Sequence, residues 1–157
     1  MPRTATKRLG RTDVAPRTTA SKLRDRFDDL LGTRAGSEQD VVDRIEQGLP
    51  FRILDRLLDR GLTRAELFDV IIPARTLKHR KSKRQPLSRE ESERVIRVAR
   101  MLATASVVLG DDESALAWLR SPKDRFHCRT PFQMLATEFG GRLVEEMLIQ
   151  IDEGMFG

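Results

Sequence analysis

From Leu49 onward, apolar residues return at intervals of three and four, and no stretch long enough for a strand alternates with a period of two. That periodicity confines the chain to helices packed on helices. Leu23, Phe27, Leu30 and Leu31 predict a short helix over Lys22–Leu31, broken by Gly32 and Gly36. Ser37-x-x-Asp40 is a capping-box pattern for a helix to about Gln47, closed by Gly48. Phe51, Leu54 and Leu58 share one face of a helix that Gly61 ends. Thr63-x-x-Glu66 opens the next, which carries Leu67, Val70 and Ile71. Pro73 then forces a break and fits the first turn of a third short helix, roughly Ala74–Lys81. Ser88-x-x-Glu91 caps the longest helix, in which Val95, Val98, Leu102, Ala105 and Leu109 precede Gly110. Asp111 or Asp112 opens a helix bearing Leu116, Leu119 and Trp118, and Thr130-Pro131 starts a short one. The last helix holds Val144, Met147, Leu148 and Ile151 and stops at Gly154. The fold class is all-α, with a helix–turn–helix-like succession ahead of a small helical domain.

Composition narrows the chemistry. Seven Phe, one Trp and no Tyr leave the core to Leu, Ile, Val, Met and Ala. One cysteine excludes an internal disulfide framework and multi-cysteine metal sites, and two histidines at no ligand spacing predict no metal or other cofactor. No apolar run approaches a membrane span, and the opening MPRTATKRLGRTD has no apolar stretch of the signal-peptide kind. The expectation is a soluble cytoplasmic protein. Residues 1–20, rich in Thr, Arg, Gly and Pro, read as a basic tail.

The usual catalytic signatures are missing: no Gly-x-Ser-x-Gly elbow, no phosphate loop, no His-Glu-x-x-His. His127 and Cys128 adjoin in sequence, which does not bring a nucleophile onto a base; a half-buried thiol beside a surface or capping imidazole is the plainer reading. The pairs Asp111/Asp112, Glu145/Glu146 and Asp152/Glu153 read as solvated carboxylates. The chain reads as a non-enzyme.

Charge is unevenly spread. Residues 1–100 hold 24 basic and 15 acidic side chains, a balance of +9, whereas residues 101–157 hold 5 and 9, a balance of −4. This suggests two partners, one of them a polyanion. The densest basic run, Arg75–Arg84, has six cations and no anion, and it falls on the third helix of the helix–turn–helix-like succession. Such a helix lies in the major groove. Leu77 would face the core. Arg75, Thr76, Lys78, His79, Arg80, Lys81, Lys83 and Arg84 are left as candidates for phosphates and base edges. The competing reading is a solvated basic loop.

Further residues carry a resemblance. Leu87-Ser88, Glu91-Ser92, Arg94 and Arg97 lead into Ala105, Gly110 and Ala115-x-x-Trp118-Leu119. Pro122, Thr130-Pro131-Phe132, Leu135, Thr137, Gly140, Val144, Leu148, Ile151 and Gly154 complete the series. Together they resemble the toxin-binding domain of Xre/MbcA/ParS antitoxins from bacterial type II toxin–antitoxin systems, and Gly61–Arg84 looks like that family's helix–turn–helix. Two departures stand out: His127-Cys128 replaces the family's usual Gly-Gly pair, and Pro73 replaces a frequent Ser. Trp118, Leu119, Val144 and Leu148 are expected in the core, Gly110 and Gly140 at turns or close packing. Residues 1–36 read as a basic tail with a possible short helix and carry none of the resemblance, which implies a DNA-binding module at 37–85 and a toxin-binding domain at 86–157. It implies repression of the protein's own operon at operator DNA, and neutralisation of a RES-domain toxin that degrades NAD⁺. A homodimer within a hetero-oligomeric complex is the implied assembly. Ile151, Asp152, Glu153, Gly154, Met155, Phe156 and Gly157 are the expected toxin contacts, since two large apolar residues after Gly154 suit a pocket in another protein. The alternative is a stand-alone regulator whose C-terminal helices dimerise.

Overall fold

In the computed structural model, which describes residues 17–155, nine α-helices and one 3-10 turn follow one another. They are α1 (Thr19–Leu31), α2 (Glu38–Gln47), α3 (Arg52–Asp59), α4 (Arg64–Val70), α5 (Ala74–Ser82) and α6 (Arg89–Leu109). After these come α7 (Asp112–Arg120), the 3-10 turn Asp124–Phe126, α8 (Pro131–Met134) and α9 (Glu138–Asp152). Side-chain caps explain where most of them start. Ser37, Thr63, Ser88 and Thr130 each accept from the N3 amide while the N3 side chain returns to the cap amide. Asp111 caps α7 by accepting from Ser114 N–H at 2.6 Å, and Thr137 caps α9.

Helix α6 is the axis of the fold. α1, α2, α7 and α9 all pack on it, and its buried residues run from Glu91 to Ser106. Ala99, Ala103 and Ala105 are among them, small enough for neighbouring helices to approach. α3 packs against α1, and α8 bridges α4, α7 and α9. Gly140 belongs to the same logic: a Cβ there would run into the Met134 carbonyl.

Several expectations shift. α1 begins at Thr19, capped by Thr18, so the end of the expected basic tail is helical; residues 1–16 lie outside the described residues. Pro73 stands at the N-cap of α5 instead of inside its first turn. In α3 the buried face is Ile53, Leu54 and Leu57, with Phe51 and Leu58 half-buried at its margins. Trp118 is likewise half-buried, outside the closed core, with the Lys123 ammonium 5.0 Å from its ring centroid. Asp112 is not a freely solvated carboxylate. It accepts from Ser106 Oγ at 2.7 Å, Arg26 at 3.1 Å and Arg60 at 3.3 Å, tying α1, α3 and α6 to the start of α7. Cys128 is exposed, not half-buried.

The Gly-Gly departure has a backbone explanation. His127 and Cys128 adopt φ of 53° and 62°, the left-handed region, so that Lys123 and Arg129 can pair across the turn. Left-handed backbone costs an L-residue about 1–2 kcal/mol, partly offset because glycine loses more entropy on folding. The double substitution His127→Gly with Cys128→Gly is expected to raise stability by about 1 kcal/mol, read as a melting point higher by about 2–4 °C. Cys128→Val is expected to lower it.

Candidate nucleic-acid interface and C-terminal face

α4 ends at Val70, and its C-cap Ile71 makes the turn into α5 with Ile72 and Pro73. Both isoleucines are buried, which fixes the angle between the two helices. On α5 the sides are distinct. Thr76, Leu77 and Arg80 lie inward and are partly covered, while Arg75, Lys78, His79 and Ser82 form an exposed ridge. Lys81 is exposed at the ridge's edge, its ammonium 5.9 Å from the Phe51 ring centroid. Lys83 and Arg84 follow the last turn and are exposed. Arg84 has φ 51°, and Gln85 N–H reaches back to the Arg80 carbonyl at 3.0 Å, so α5 closes in a Schellman motif without a glycine.

Arg80 differs from its neighbours. Its Nε donates to Glu91 on α6, the nearest oxygen 2.7 Å away, and Glu91 is only 5% exposed. The second function of that carboxylate is to accept from Ser88 N–H, also at 2.7 Å. Arg80 therefore anchors α5 to α6, with its charge turned away from the ridge. Two further groups on α6 hold the same module. Arg94 Nη1 donates to the Ile71 carbonyl at 3.3 Å, and Ser92 Oγ accepts from Leu49 N–H at 3.0 Å. Sequence reasoning marked Glu91 as a helix cap and as part of the family pattern, and did not foresee its pairing with Arg80.

The chain matches the antitoxin Xre-like helix-turn-helix domain over residues 40–100 and the antitoxin Xre/MbcA/ParS C-terminal toxin-binding domain over residues 104–154. It is 44% identical to Antitoxin Xre of Pseudomonas putida over 118 residues, 75% of this chain and 74% of that protein. The chain belongs to the Xre antitoxin family. An Antitoxin Xre of Yersinia enterocolitica is 29% identical over 129 residues, 80% of this chain and 87% of that protein. The two matched domains meet inside α6, between residues 100 and 104.

Seven terminal residues are the expected toxin contacts of this Xre-family chain, and the structure distributes them. Ile151 and Asp152 belong to α9, Ile151 half-buried and Asp152 exposed. Glu153 is the C-cap, and Gly154 at φ 70° turns the chain out of the helix. Met155 N–H donates to the Gln150 carbonyl at 2.9 Å, which pins its backbone while its side chain stays exposed. Phe156 and Gly157 lie outside the described residues.

Several ion pairs bridge the two matched domains, Arg60–Asp112 and Arg97–Glu138 among them, and a third forms a two-pronged clamp. Arg120 on α7 reaches Glu66 on α4 through Nε at 2.6 Å and Nη2 at 2.9 Å, and Nη2 also donates to the Gly61 carbonyl at 2.7 Å. Burial pushes the Glu66 carboxyl upward, but the Arg120 and Thr63 hydrogen bonds outweigh it and hold it below its ordinary 4.5. A depressed folded-state value means the clamp stabilises fully above pH 4.5 and fades as pH falls through the folded value. Melting curves taken downward from about pH 6 should show this loss, and Glu66→Gln should flatten the decline below pH 4.5.

Proposed function

We propose that this protein neutralises a cognate RES-domain, NAD⁺-degrading toxin through its C-terminal domain and represses its own operon through α5. The supporting observation is the pairing, in one chain, of a toxin-binding match over 104–154 with a helix–turn–helix match whose last short helix carries an outward cationic ridge. The mode of action is binding alone, with no catalysis by the antitoxin and no cofactor. A cytoplasmic homodimer within a larger toxin complex supplies two copies of α5 for two operator half-sites. The residues proposed for DNA are Arg75, Lys78 and His79 on the ridge, flanked by Thr76, Lys81, Lys83 and Arg84. Arg80 serves them indirectly by holding α5 in place. At the other end, residues 151–157 cover the toxin's active-site entrance. Asp152 and Glu153 face its cationic substrate-binding groups, while Met155 and Phe156 enter the cleft.

Two measurements test the two halves. Binding to the promoter upstream of its gene should lose about 0.9 from the salt slope of log K for each phosphate contact removed, so Arg75→Ala and Lys78→Ala should flatten the slope and leave melting unchanged. Arg80→Ala should instead lower stability by about 3 kcal/mol, because it strands the buried Glu91 carboxylate. An unaltered gel shift for the Arg75 and Lys78 variants across salt concentrations would exclude the ridge. For the toxin half, co-expression with the neighbouring reading frame should rescue growth. Deletion of residues 155–157 should restore NAD⁺ consumption, and full neutralisation by the truncated protein would remove the arm from the mechanism.

A further inference from the structure

Among the described residues, the large apolar side chains left exposed are Val42 at 45%, Phe139 at 72%, Ile149 at 49% and Met155 at 66%. Three of these four belong to α9 and the residues that follow it. On α9 the buried side is Gly140, Gly141, Val144 and Leu148. Opposite them, Phe139, Arg142, Glu146, Ile149 and Glu153 recur at alternate steps of three and four and are all exposed, so they form one outward ridge. Phe139 and Ile149 stand ten residues apart, about 15 Å along the axis. The charges between them are already matched within the chain. Arg142 lies 3.7 Å from Glu138, and Glu146 lies 3.2 Å from Arg125 on the 3-10 turn, which also holds Gln150 at 2.7 Å.

An exposed ridge of this kind suits a protein partner. Its polar middle can be covered without stranding a charge, so the partner need not supply counter-ions there. Its apolar ends can each fill a pocket, and aromatic anchors of this sort dominate interface energies. A nucleic acid would find no cationic surplus on it. A second copy laid antiparallel would set Phe139 against Ile149 but would leave Met155 uncovered and bring together charges that already have partners. Along the chain the ridge is instead followed directly by Met155, the start of the arm proposed above to enter the toxin. Resting on that antitoxin reading, we propose that the toxin docks lengthwise along α9. Phe139 is the far anchor of this contact and Ile149 the near one, set in two apolar pockets about 15 Å apart.

The test uses the full-length antitoxin and the protein encoded by the adjacent frame, with Phe139→Ala, Ile149→Ala and the double variant compared by calorimetric titration. Both side chains are exposed, so melting of the free antitoxin and its promoter gel shift should not move. Phe139→Ala should weaken the toxin complex by about 30-fold or more, the threshold of an anchor residue, and the double variant further. Wild-type affinity in the double variant would overturn the docking ridge while leaving the antitoxin reading intact, because the complex itself would still form. Loss of self-association by the free double variant, with toxin binding unchanged, would reassign the ridge to a second copy and overturn the proposal. Absence of any complex with the wild-type chain would defeat the antitoxin reading and the ridge together.

Discussion

A helix surrounded by other helices has few places to leave a polar group, and α6 is surrounded along most of its length. Its three buried polar residues, Glu91, Ser92 and Ser106, must each find a partner or cost the fold about 1–3 kcal/mol, more for the charge. Each finds one on a different element. Glu91 takes Arg80 of α5, Ser92 takes the Leu49 amide before α3, and Ser106 shares its single O–H between the Leu102 carbonyl of its own helix and Asp112 of α7. No described buried side-chain nitrogen or oxygen is left without a partner. The need to satisfy three groups on one rod thus determines where three neighbouring elements sit.

From that follows the relation between the two functional parts. The helix-turn-helix match ends and the toxin-binding match begins within α6, with no linker between them. The N-terminal half of the rod holds the helix-turn-helix module through Glu91, Ser92 and Arg94. Further along, Arg97 donates to the Leu135 carbonyl at 3.0 Å and to Glu138 at 3.0 Å, fixing the turn that leads into α9. Its methylenes also lie against Gly141, where a Cβ would crowd them. The Arg120–Glu66 clamp closes a second route between the halves. A force applied to α9 therefore reaches α5 through packed, hydrogen-bonded structure rather than through a flexible joint.

Helix order and most helix boundaries were legible because they depend on local rules. Serine and threonine caps, the left-handed glycines at 110 and 154, and the three-four spacing of apolar residues all act within one or two turns. Long-range pairing was not legible. Nothing near Arg80 distinguishes it from Lys78, and only its register against Glu91 turns it inward. Asp112 looks like Asp111 in sequence, yet one is a cap and the other joins three elements. Trp118 has the spacing of a core residue but lies at the margin, where Lys123 reaches its ring. His127 and Cys128 were visible as a departure from the family pair; the positive φ values show that a backbone turn, rather than side-chain chemistry, is what those positions demand.

The same distinction decides how the charge asymmetry should be read. Six cations between Arg75 and Arg84 suggest six ligands for a polyanion, but a guanidinium whose partner is a buried carboxylate is not available to phosphate without stranding that carboxylate. In the acidic half, Glu146 and Glu138 already face arginines, while Asp152 and Glu153 at the end of α9 are exposed. A sum over sequence counts all of these alike. Burial and pairing sort them, and among the charges left exposed and unpaired are a cationic ridge on α5 and an acidic end on α9. Both project from helices braced by the same rod, so the backbone that carries each set of charges has little conformational entropy left to lose on binding.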